Sequence, residues 1–302
     1  MNAPDLARLR PRLPSPLEPV EDERFTRHGL RLLLKRDDLI HPDLPGNKWR
    51  KLAPNLRAAA GRPVLTFGGA YSNHLRATAA AGRLLGFRTI GVVRGDELAG
   101  RPLNPSLARC AADGMRLLFV DRATYRAKHE PAVLGRILGE APEDVYVVPE
   151  GGSNARAAEG CSGLGRELAG WADVAAVACG TGGTLAGLAA GFPGPVLGVP
   201  VLRGGFLGDE VRALQEAAFG GPRGEWRLDE RFHCGGYART TPELDAFAAD
   251  FGARHGLAIE RLYVAKMLHG LVTLAEEGAF APGTRIAAVV TGAPEPQSDS
   301  SR

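Results

Sequence analysis

The sequence predicts an α/β fold in which mostly parallel sheets are covered by helices on both faces. From about residue 64 onward, short runs rich in β-branched residues alternate with Ala- and Leu-rich stretches. This alternation is typical of parallel strands joined by crossover helices. The length of 302 residues and the 44% hydrophobic content suit one large domain or two lobes with a sizeable core.

Seven strands are predicted in chain order, because β-branched residues favour strands while Ala and Leu favour helices. The strands are expected at 64–67, 89–93, 115–120, 145–149, 174–179, 195–201 and 285–290. The helices between them are expected to end near Leu85, centre on Leu107, end near Gly139, span Ala155 to Leu168, end near Gly191 and occupy 208–218. The first dozen and the last ten residues are expected to be poorly ordered.

Composition argues against several classes of function. The net charge of +3 comes from 37 basic and 34 acidic residues in scattered positions, so we expect no nucleic-acid partner. No stretch approaches the roughly 18 apolar residues of a membrane span, and the N-terminus lacks an apolar signal core, so a cytoplasmic protein is expected. The four cysteines form no CxxC pair, which argues against structural zinc and any other metal centre of that kind.

Lysine is unusually scarce in this chain. The lysines are Lys35, Lys48, Lys51, Lys128 and Lys266, and arginine supplies the remaining basic residues. Arginine keeps its proton near neutral pH and therefore cannot act as an amine nucleophile, whereas lysine can. Each lysine is thus a candidate for chemistry.

Ligands of open parallel sheets bind beyond the carboxyl ends of the strands. That rule selects four loops, at 68–73, 150–154, 179–184 and 291–294. The first three open helices, whose free N–H groups favour anions. In GTGGTLAG (180–187), glycines allow close backbone approach, so this loop is a candidate cup for a single phosphate, although a plain strand-to-helix turn explains it equally well.

A second motif, GNKWRK (46–51), places Lys48 after the turn-rich run HPDLP. Taken alone, Lys48 would be a solvated lysine in the first turn of a helix. Together with the phosphate cup and with Ser72 and Asn73 at another helix start, it predicts a phosphate-bearing aldehyde cofactor held as a Schiff base.

Four runs carry a family resemblance: KRDDLIHPDLPGNKWRKL (35–52), FGGAYSNHLRATAAAG (67–82), VVPEGGSN (147–154) and CGTGGTLAGL (179–188). Their order and spacing resemble the pyridoxal-phosphate family of 1-aminocyclopropane-1-carboxylate deaminases and D-cysteine desulfhydrases, of the tryptophan-synthase-β-like fold group (fold type II). The resemblance covers roughly residues 30–292. It implies two lobes, with 1–50 and 161–302 forming the larger, cofactor-binding lobe and 51–160 the smaller one. It also implies an active site in the cleft between them and a homodimer.

The same resemblance implies roles for particular residues. Lys48 would be the Schiff-base lysine, and Asn73 would hydrogen-bond the ring hydroxyl of the cofactor. Lys51 would assist the phosphate loop, whose residues are Gly180, Thr181, Gly182, Gly183 and Thr184.

The C-terminal third departs from the family pattern. The segments FHCGGYARTTPE (232–243) and ERLYVAKM (260–267) resemble those that carry two family tyrosines, here Tyr237 and Tyr263. Val264 stands where the deaminases have a glutamate facing the pyridine nitrogen, so Thr291 becomes the candidate partner of that nitrogen. A neighbouring carboxylate favours the protonated ring and a strong electron sink, which cyclopropane opening demands more than β-elimination does.

We therefore expect a lyase that acts on a small amino acid by β-elimination and releases oxo acid and ammonia. Lys48 would also move the α-proton, Ser72 would bind the substrate carboxylate or simply cap its helix, and the tyrosines would act as acid/base or positioning groups. The alternatives are a 1-aminocyclopropane-1-carboxylate deaminase, a β-replacement enzyme and a cofactor-binding relative without turnover. His74, directly after Asn73, could stack on or near the cofactor, although a lone helical histidine is more often satisfied or solvated, and Lys266 is expected to be a snorkelling helix lysine.

Overall fold

The computed structural model describes residues 4–44, 46–139 and 144–292, and within them the chain forms two sheets covered by helices. The strands are β1 (Leu17–Val20), β2 (Arg31–Lys35), β3 (Val64–Gly68), β4 (Thr89–Arg94), β5 (Met115–Val120), β6 (Tyr146–Val148), β7 (Val174–Cys179), β8 (Val196–Pro200), β9 (Trp226–Leu228) and β10 (Arg285–Val289). The helices are α1 (Glu23–Thr26), α2 (Lys48–Ala59), α3 (Asn73–Leu85), α4 (Pro105–Ala112), α5 (Arg122–Arg126), α6 (Pro131–Gly139), α7 (Ala155–Leu168), α8 (Gly183–Gly191), α9 (Leu207–Phe219), α10 (Pro242–His255) and α11 (Val264–Glu276).

The two sheets confirm the predicted α/β class. One has the strand order β1-β2-β10-β7-β8-β9 and the other has the order β5-β4-β3-β6. Apart from the antiparallel pair β1–β2, all paired strands run parallel. All seven predicted strands are present, whereas β1, β2 and β9 were not predicted. The helix expected to end near Gly139 does end there as α6, and a separate short helix, α5, precedes it because Pro131 cannot continue a preceding helix.

Close packing of α7 on α8 places the glycine-rich loop before α8. A Cβ atom at Gly187 would lie 2.2 Å from the Ala158 carbonyl oxygen, and one at Gly191 would lie 2.0 Å from that of Ser162. Only glycine therefore allows the two backbones to approach so closely. The loop at 180–182 is thereby held between the end of β7 and the start of α8.

The N-terminal segment differs from its expected disorder. A short 3-10 helix spans Leu6–Leu9, and both of these leucines are buried in a cluster with Ile40 and Leu44. This apolar contact orders a segment whose proline and charge content suggested otherwise. The final ten residues lie outside the described residues, and no described helix is long and apolar enough to cross a bilayer.

Candidate active site

A cavity of about 1330 Å³ lies at the carboxyl ends of strands from both sheets. All four loops selected from the sequence contribute to its wall, through Ser72, Gly151, Thr181 and Thr291 among others. This arrangement follows from topology, since carboxyl ends of parallel strands meet at one edge of a sheet. The residues predicted from separate motifs therefore surround a common space.

Lys48 is the first residue of α2 and lines this cavity. No hydrogen bond or ion pair joins its amine to another residue in the described part of the chain. Burial, followed by the charge of Lys51, lowers the pKa of Lys48 to about 7. A substantial fraction of the amine is therefore neutral near physiological pH, as a nucleophile or a base requires.

The residues before Lys48 attach the start of α2 to the glycine-rich loop. The Asn47 side chain donates to Thr184 Oγ1 at 2.8 Å, and the Asn47 N–H donates to the Thr291 carbonyl at 3.1 Å. Gly46 has φ +59°, and a Cβ atom there would lie 1.6 Å from the Thr291 oxygen. Glycine at 46 thus permits the close approach that sets Lys48 beside the predicted phosphate cup.

The cup itself combines a helix N-terminus, hydroxyl groups and an ammonium. Gly182, with φ +76°, precedes α8, and Ser153 Oγ lies 2.5 Å from Thr181 Oγ1. Lys51 Nζ donates to Ser153 Oγ at 3.0 Å and to the Gly151 carbonyl at 3.3 Å. A Cβ atom at Gly183 would lie 3.4 Å from that Nζ. Burial lowers the pKa of Lys51 and no described carboxylate pairs with it, so a phosphate dianion in the cup would supply the counter-charge that favours the ammonium.

The N-terminus of α3 forms the opposite wall. Ser72 Oγ accepts a hydrogen bond from the Leu75 N–H at 3.3 Å, so its predicted capping role is present in the structure. Asn73 Oδ1 accepts from the Arg76 guanidinium, and both Ser72 and Asn73 line the cavity. Free N–H groups of this helix start provide a second place for an anion, such as a carboxylate.

Tyr237 and Tyr263 also line the cavity and contact each other. Their rings pack edge to face, with centroids 6.3 Å apart. Burial raises the pKa of Tyr237 and raises that of Tyr263 well above its ordinary value. Both hydroxyls therefore carry their protons near neutral pH and can donate them to a bound group.

The segment before α11 contains Glu260 and Val264, two residues that depart from the family pattern, and their contacts show what each one does. The Glu260 carboxylate accepts from the N–H groups of Leu262 and Tyr263, both at 2.7 Å, and from that of Val264 at 3.3 Å. Its carboxylate therefore caps the start of α11, although the residue also lines the cavity. Val264 is buried in the apolar core and is not part of the cavity wall, whereas Thr291 is.

The expectation that Lys266 is a snorkelling lysine is wrong. Its side chain is fully buried, and its Nζ donates to the carbonyls of His233 at 2.9 Å and Gly236 at 3.0 Å. The loop it holds has positive φ at Cys234, Gly235, Gly236 and Ala238. Such a sparsely populated backbone needs external support. Lys266 thus holds the loop that presents Tyr237.

Replacing Lys266 with methionine is expected to loosen this loop. The change leaves two carbonyls without their donor, which should lower the free energy of unfolding by about 1–3 kcal/mol. Trypsin digestion of the folded protein should then cut faster after Arg231 and Arg239, which flank the loop. A Lys266→Met variant with wild-type cleavage at these arginines would contradict this role, with cleavage after the remote Arg57 as the internal control.

Two site residues escaped the sequence analysis, Asn47 and Ser153. Asn47 precedes Lys48 within GNKWRK, and Ser153 lies within EGGSN, so both stood inside motifs already singled out. Their adjacency to a candidate lysine and to a ligand loop was an available signal. Their partners, Thr184 and Thr181, are far away in the chain and become visible only in the fold.

Comparisons with known proteins place the chain in a well-populated group. The profile of a family described as "Pyridoxal-phosphate dependent enzyme" matches residues 10–292. A Pyrococcus horikoshii protein, provisionally named a 1-aminocyclopropane-1-carboxylate deaminase, is 31% identical over 289 residues, which are 87% of this chain and 85% of that protein. A Yersinia pestis D-cysteine desulfhydrase is 30% identical over 296 residues, 87% of either chain. The crystal structure of a deaminase homologue superposes with a TM-score of 0.78 at 27% identity, covering 97% of this chain and 95% of that one.

Proposed function

This chain belongs to the family of pyridoxal-phosphate-dependent enzymes, and from that membership we propose that it is a lyase acting on a small amino acid by β-elimination. The reaction would resemble that named for the D-cysteine desulfhydrase relative and would release oxo acid and ammonia. The family match confirms the cofactor that the sequence motifs predicted.

The described residues fit pyridoxal phosphate. The cup at 180–184 offers helix N–H groups and hydroxyls, and the buried ammonium of Lys51 lacks an anionic partner there, as a site for a phosphate requires. Lys48 supplies the amine for the aldehyde, and we assign Asn73 to the ring hydroxyl and Thr291 to the ring nitrogen. Bound there, the cofactor supplies an electron sink for the negative charge that develops at the α-carbon of an amino acid.

Side chains of the cavity wall bind the substrate, take up the α-proton and assist the leaving group. Ser72 and the N-terminus of α3 hold the substrate carboxylate beside Lys48. The amine of Lys48, which is partly neutral near pH 7, accepts the α-proton. The hydroxyls of Tyr237 and Tyr263, which keep their protons near neutral pH, donate hydrogen bonds to the leaving group, and the proton that Lys48 took from the α-carbon passes to the expelled group. The resulting unsaturated amine hydrolyses in water to oxo acid and ammonia.

The placement of Val264 and Glu260 favours elimination over cyclopropane opening. Val264 is buried in the core, and the Glu260 carboxylate is held by three backbone N–H groups. Thr291, a neutral side chain, lines the cavity. Without a carboxylate at the ring nitrogen the electron sink is weaker, and expulsion of a good leaving group such as sulfide demands less from it.

An amino-acid panel tests this assignment. We expect purified protein to release oxo acid and sulfide from one enantiomer of cysteine at a higher rate than it releases oxo acid from 1-aminocyclopropane-1-carboxylate. The reverse order would overturn the assignment in favour of the deaminase. If an added thiol diverts the product to a new thioether, the enzyme catalyses β-replacement. If the holoprotein shows the absorbance band of the Schiff base but releases no product from any substrate, the chain is a relative without turnover.

We also propose a division into lobes, a homodimer and a cytoplasmic location. The two sheets support lobes composed of 1–50 with 161–302 and of 51–160, with the cavity in the cleft between them. The dimer and the location rest on the family resemblance and on the composition, respectively. Sedimentation of the purified protein would test the dimer.

A further inference from the structure

His74 is a buried histidine of the cavity wall whose two ring nitrogens differ in their contacts. It is the second residue of α3 and is 2% exposed. Its Nε2 lies 2.8 Å from Thr66 Oγ1, whereas its Nδ1 has no hydrogen-bond partner among the described residues. The expectation of a fully satisfied or solvated histidine is therefore wrong for one of the two nitrogens. A buried unpaired acceptor or donor is costly and requires an explanation.

The contacts of Thr66 fix the tautomer of His74. The Thr66 hydroxyl lies 2.8 Å from the Val148 carbonyl, which can only accept. The single hydroxyl proton therefore points to Val148, and Thr66 Oγ1 accepts a hydrogen bond from the His74 Nε2–H. Nδ1 then carries a lone pair. Burial, followed by the charges of Lys48 and Lys51, lowers the pKa of His74 well below its ordinary value, so the ring is neutral.

The bare Nδ1 lies close to the Gly152 backbone. A Cβ atom at Gly152 would lie 3.2 Å from Nδ1 and 3.5 Å from Lys51 Cβ, so the same glycine adjoins this edge of the ring and the first turn of α2. Lys48 precedes Lys51 by three residues and is its neighbour on the helix surface. Lys48 and His74 both line the cavity. The Lys48 amine thus lacks an acceptor and His74 Nδ1 lacks a donor, and both residues belong to the wall of the same cavity.

We propose that the free amine of Lys48, which has no hydrogen-bond partner among the described residues, reaches His74 Nδ1 by rotation of its side chain and donates a hydrogen bond to it, and that Thr66 maintains this bond by fixing the tautomer. His74 is then a positioning residue that orients the amine while it takes up and returns a proton. The titratable groups that act on His74 are Lys48 and Lys51, and those that act on Lys48 are Lys51 and the Cys161 thiol, whose pKa is raised by burial. The inference rests on the proposed role of Lys48 but is independent of the substrate.

The first test is the tautomer, observed by ¹⁵N NMR of the full-length holoprotein labelled at histidine. We expect His74 to show a protonated Nε2 and an unprotonated Nδ1 from about pH 6 to about pH 8, a range in which an ordinary histidine titrates. Thr66→Val removes the acceptor of Nε2 at nearly constant volume and should shift His74 toward the Nδ1-protonated form. Thr66→Ser keeps the hydroxyl and should leave the wild-type pattern. A protonated Nδ1 in the wild type would overturn the proposal.

The second test is the titration of Lys48 in the full-length chain after removal of the cofactor. Acylation by an amine-specific reagent, quantified by peptide mass spectrometry, should give a midpoint below that of an ordinary lysine, because burial and the charge of Lys51 lower the pKa of Lys48. An acceptor stabilises the ammonium, so His74→Phe and Thr66→Val should lower this midpoint by roughly one pH unit, a tenfold change. His74→Gln, which retains an acceptor, should restore it at least in part. An unchanged titration midpoint of Lys48 in both His74→Phe and Thr66→Val would overturn the proposal. Neither measurement requires turnover, so failure of the amino-acid panel would leave both results interpretable.

Discussion

Replacement of Lys48 by alanine is expected to abolish turnover, lowering oxo-acid release by about three orders of magnitude or more. The change removes both the amine for the cofactor aldehyde and the base for the α-proton, and loss of general acid–base catalysis alone costs about 10² to 10⁴-fold. The assay compares both proteins on the best substrate of the panel. In parallel, borohydride reduction and peptide mass spectrometry should locate the cofactor adduct on Lys48 in the wild type, and Lys48→Ala should carry none.

Two control variants separate chemistry from charge. Lys48→Arg keeps a cation but provides no nucleophilic amine, so it should be as inactive as the alanine variant. Lys128→Arg keeps the cation that pairs with Glu150 at 3.0 Å and should retain turnover within about twofold. An adduct on a lysine other than Lys48, or turnover by Lys48→Ala within tenfold of wild type, would contradict the assignment.

The strands that were predicted are those with a strong local signal. Runs such as VAAVAC and TIGVV are almost entirely apolar, because parallel strands covered on both faces are mostly buried. The missed strands lack that signal. LEPV in β1 contains a proline and a charge at the sheet edge, and WRL in β9 has only three residues. Their strand conformation depends on pairing with β2 and β8.

The site was predictable to the extent that motif residues lie at strand ends. Their convergence follows from parallel topology, so Asn73, Thr181 and Thr291 could be assigned to one cavity in advance, whereas Lys48 was joined to them through its own motif and the family resemblance. Side-chain partners could not be assigned in this way. Asn47 meets Thr184 across 137 residues, a pairing that depends on the packing of the two sheets. Lys266 belongs to a helix that is apolar on most faces, so periodicity does not reveal which side is buried.

A buried ionic cluster, formed around Arg50 on the helix that begins with Lys48, is expected to make a large contribution to stability. Arg50, on α2, binds Asp37 through two hydrogen bonds of 2.8 Å and also binds Glu167 on α7 at 2.8 Å. Lys35 Nζ lies 2.6 Å from Glu167 Oε2. Asp37, Arg50 and Lys35 are almost completely buried. The cluster therefore fixes the helix that carries Lys48 to the end of β2 and to α7.

Arg50→Met is expected to lower the free energy of unfolding by roughly 3–5 kcal/mol, because it leaves the Asp37 carboxylate buried without its cation. Urea denaturation measures this change. A double variant, Arg50→Met with Asp37→Leu, removes both charges and should recover part of the loss. The exposed contacts of Arg254 with Glu23 and Asp250 provide the matched control, and Arg254→Ala should cost at most about 1 kcal/mol. A loss from Arg50→Met no larger than that of Arg254→Ala would contradict the role of the cluster.

The same cluster predicts how stability depends on pH. Burial raises the pKa of Glu167, but hydrogen bonds and the charge of Arg50, with those of Lys35, outweigh it and hold that pKa below its ordinary value. The folded state then binds the proton less readily than the unfolded chain. The stabilisation is therefore present above the unfolded pKa of about 4.3 and is lost as the pH falls through the lower, folded pKa. Arg50→Met removes the main cause of the lowering, so its free energy of unfolding should fall less steeply below about pH 4 than that of the wild type. If the free energy of unfolding falls equally steeply with decreasing pH in the two proteins, Arg50 does not set the pKa of Glu167.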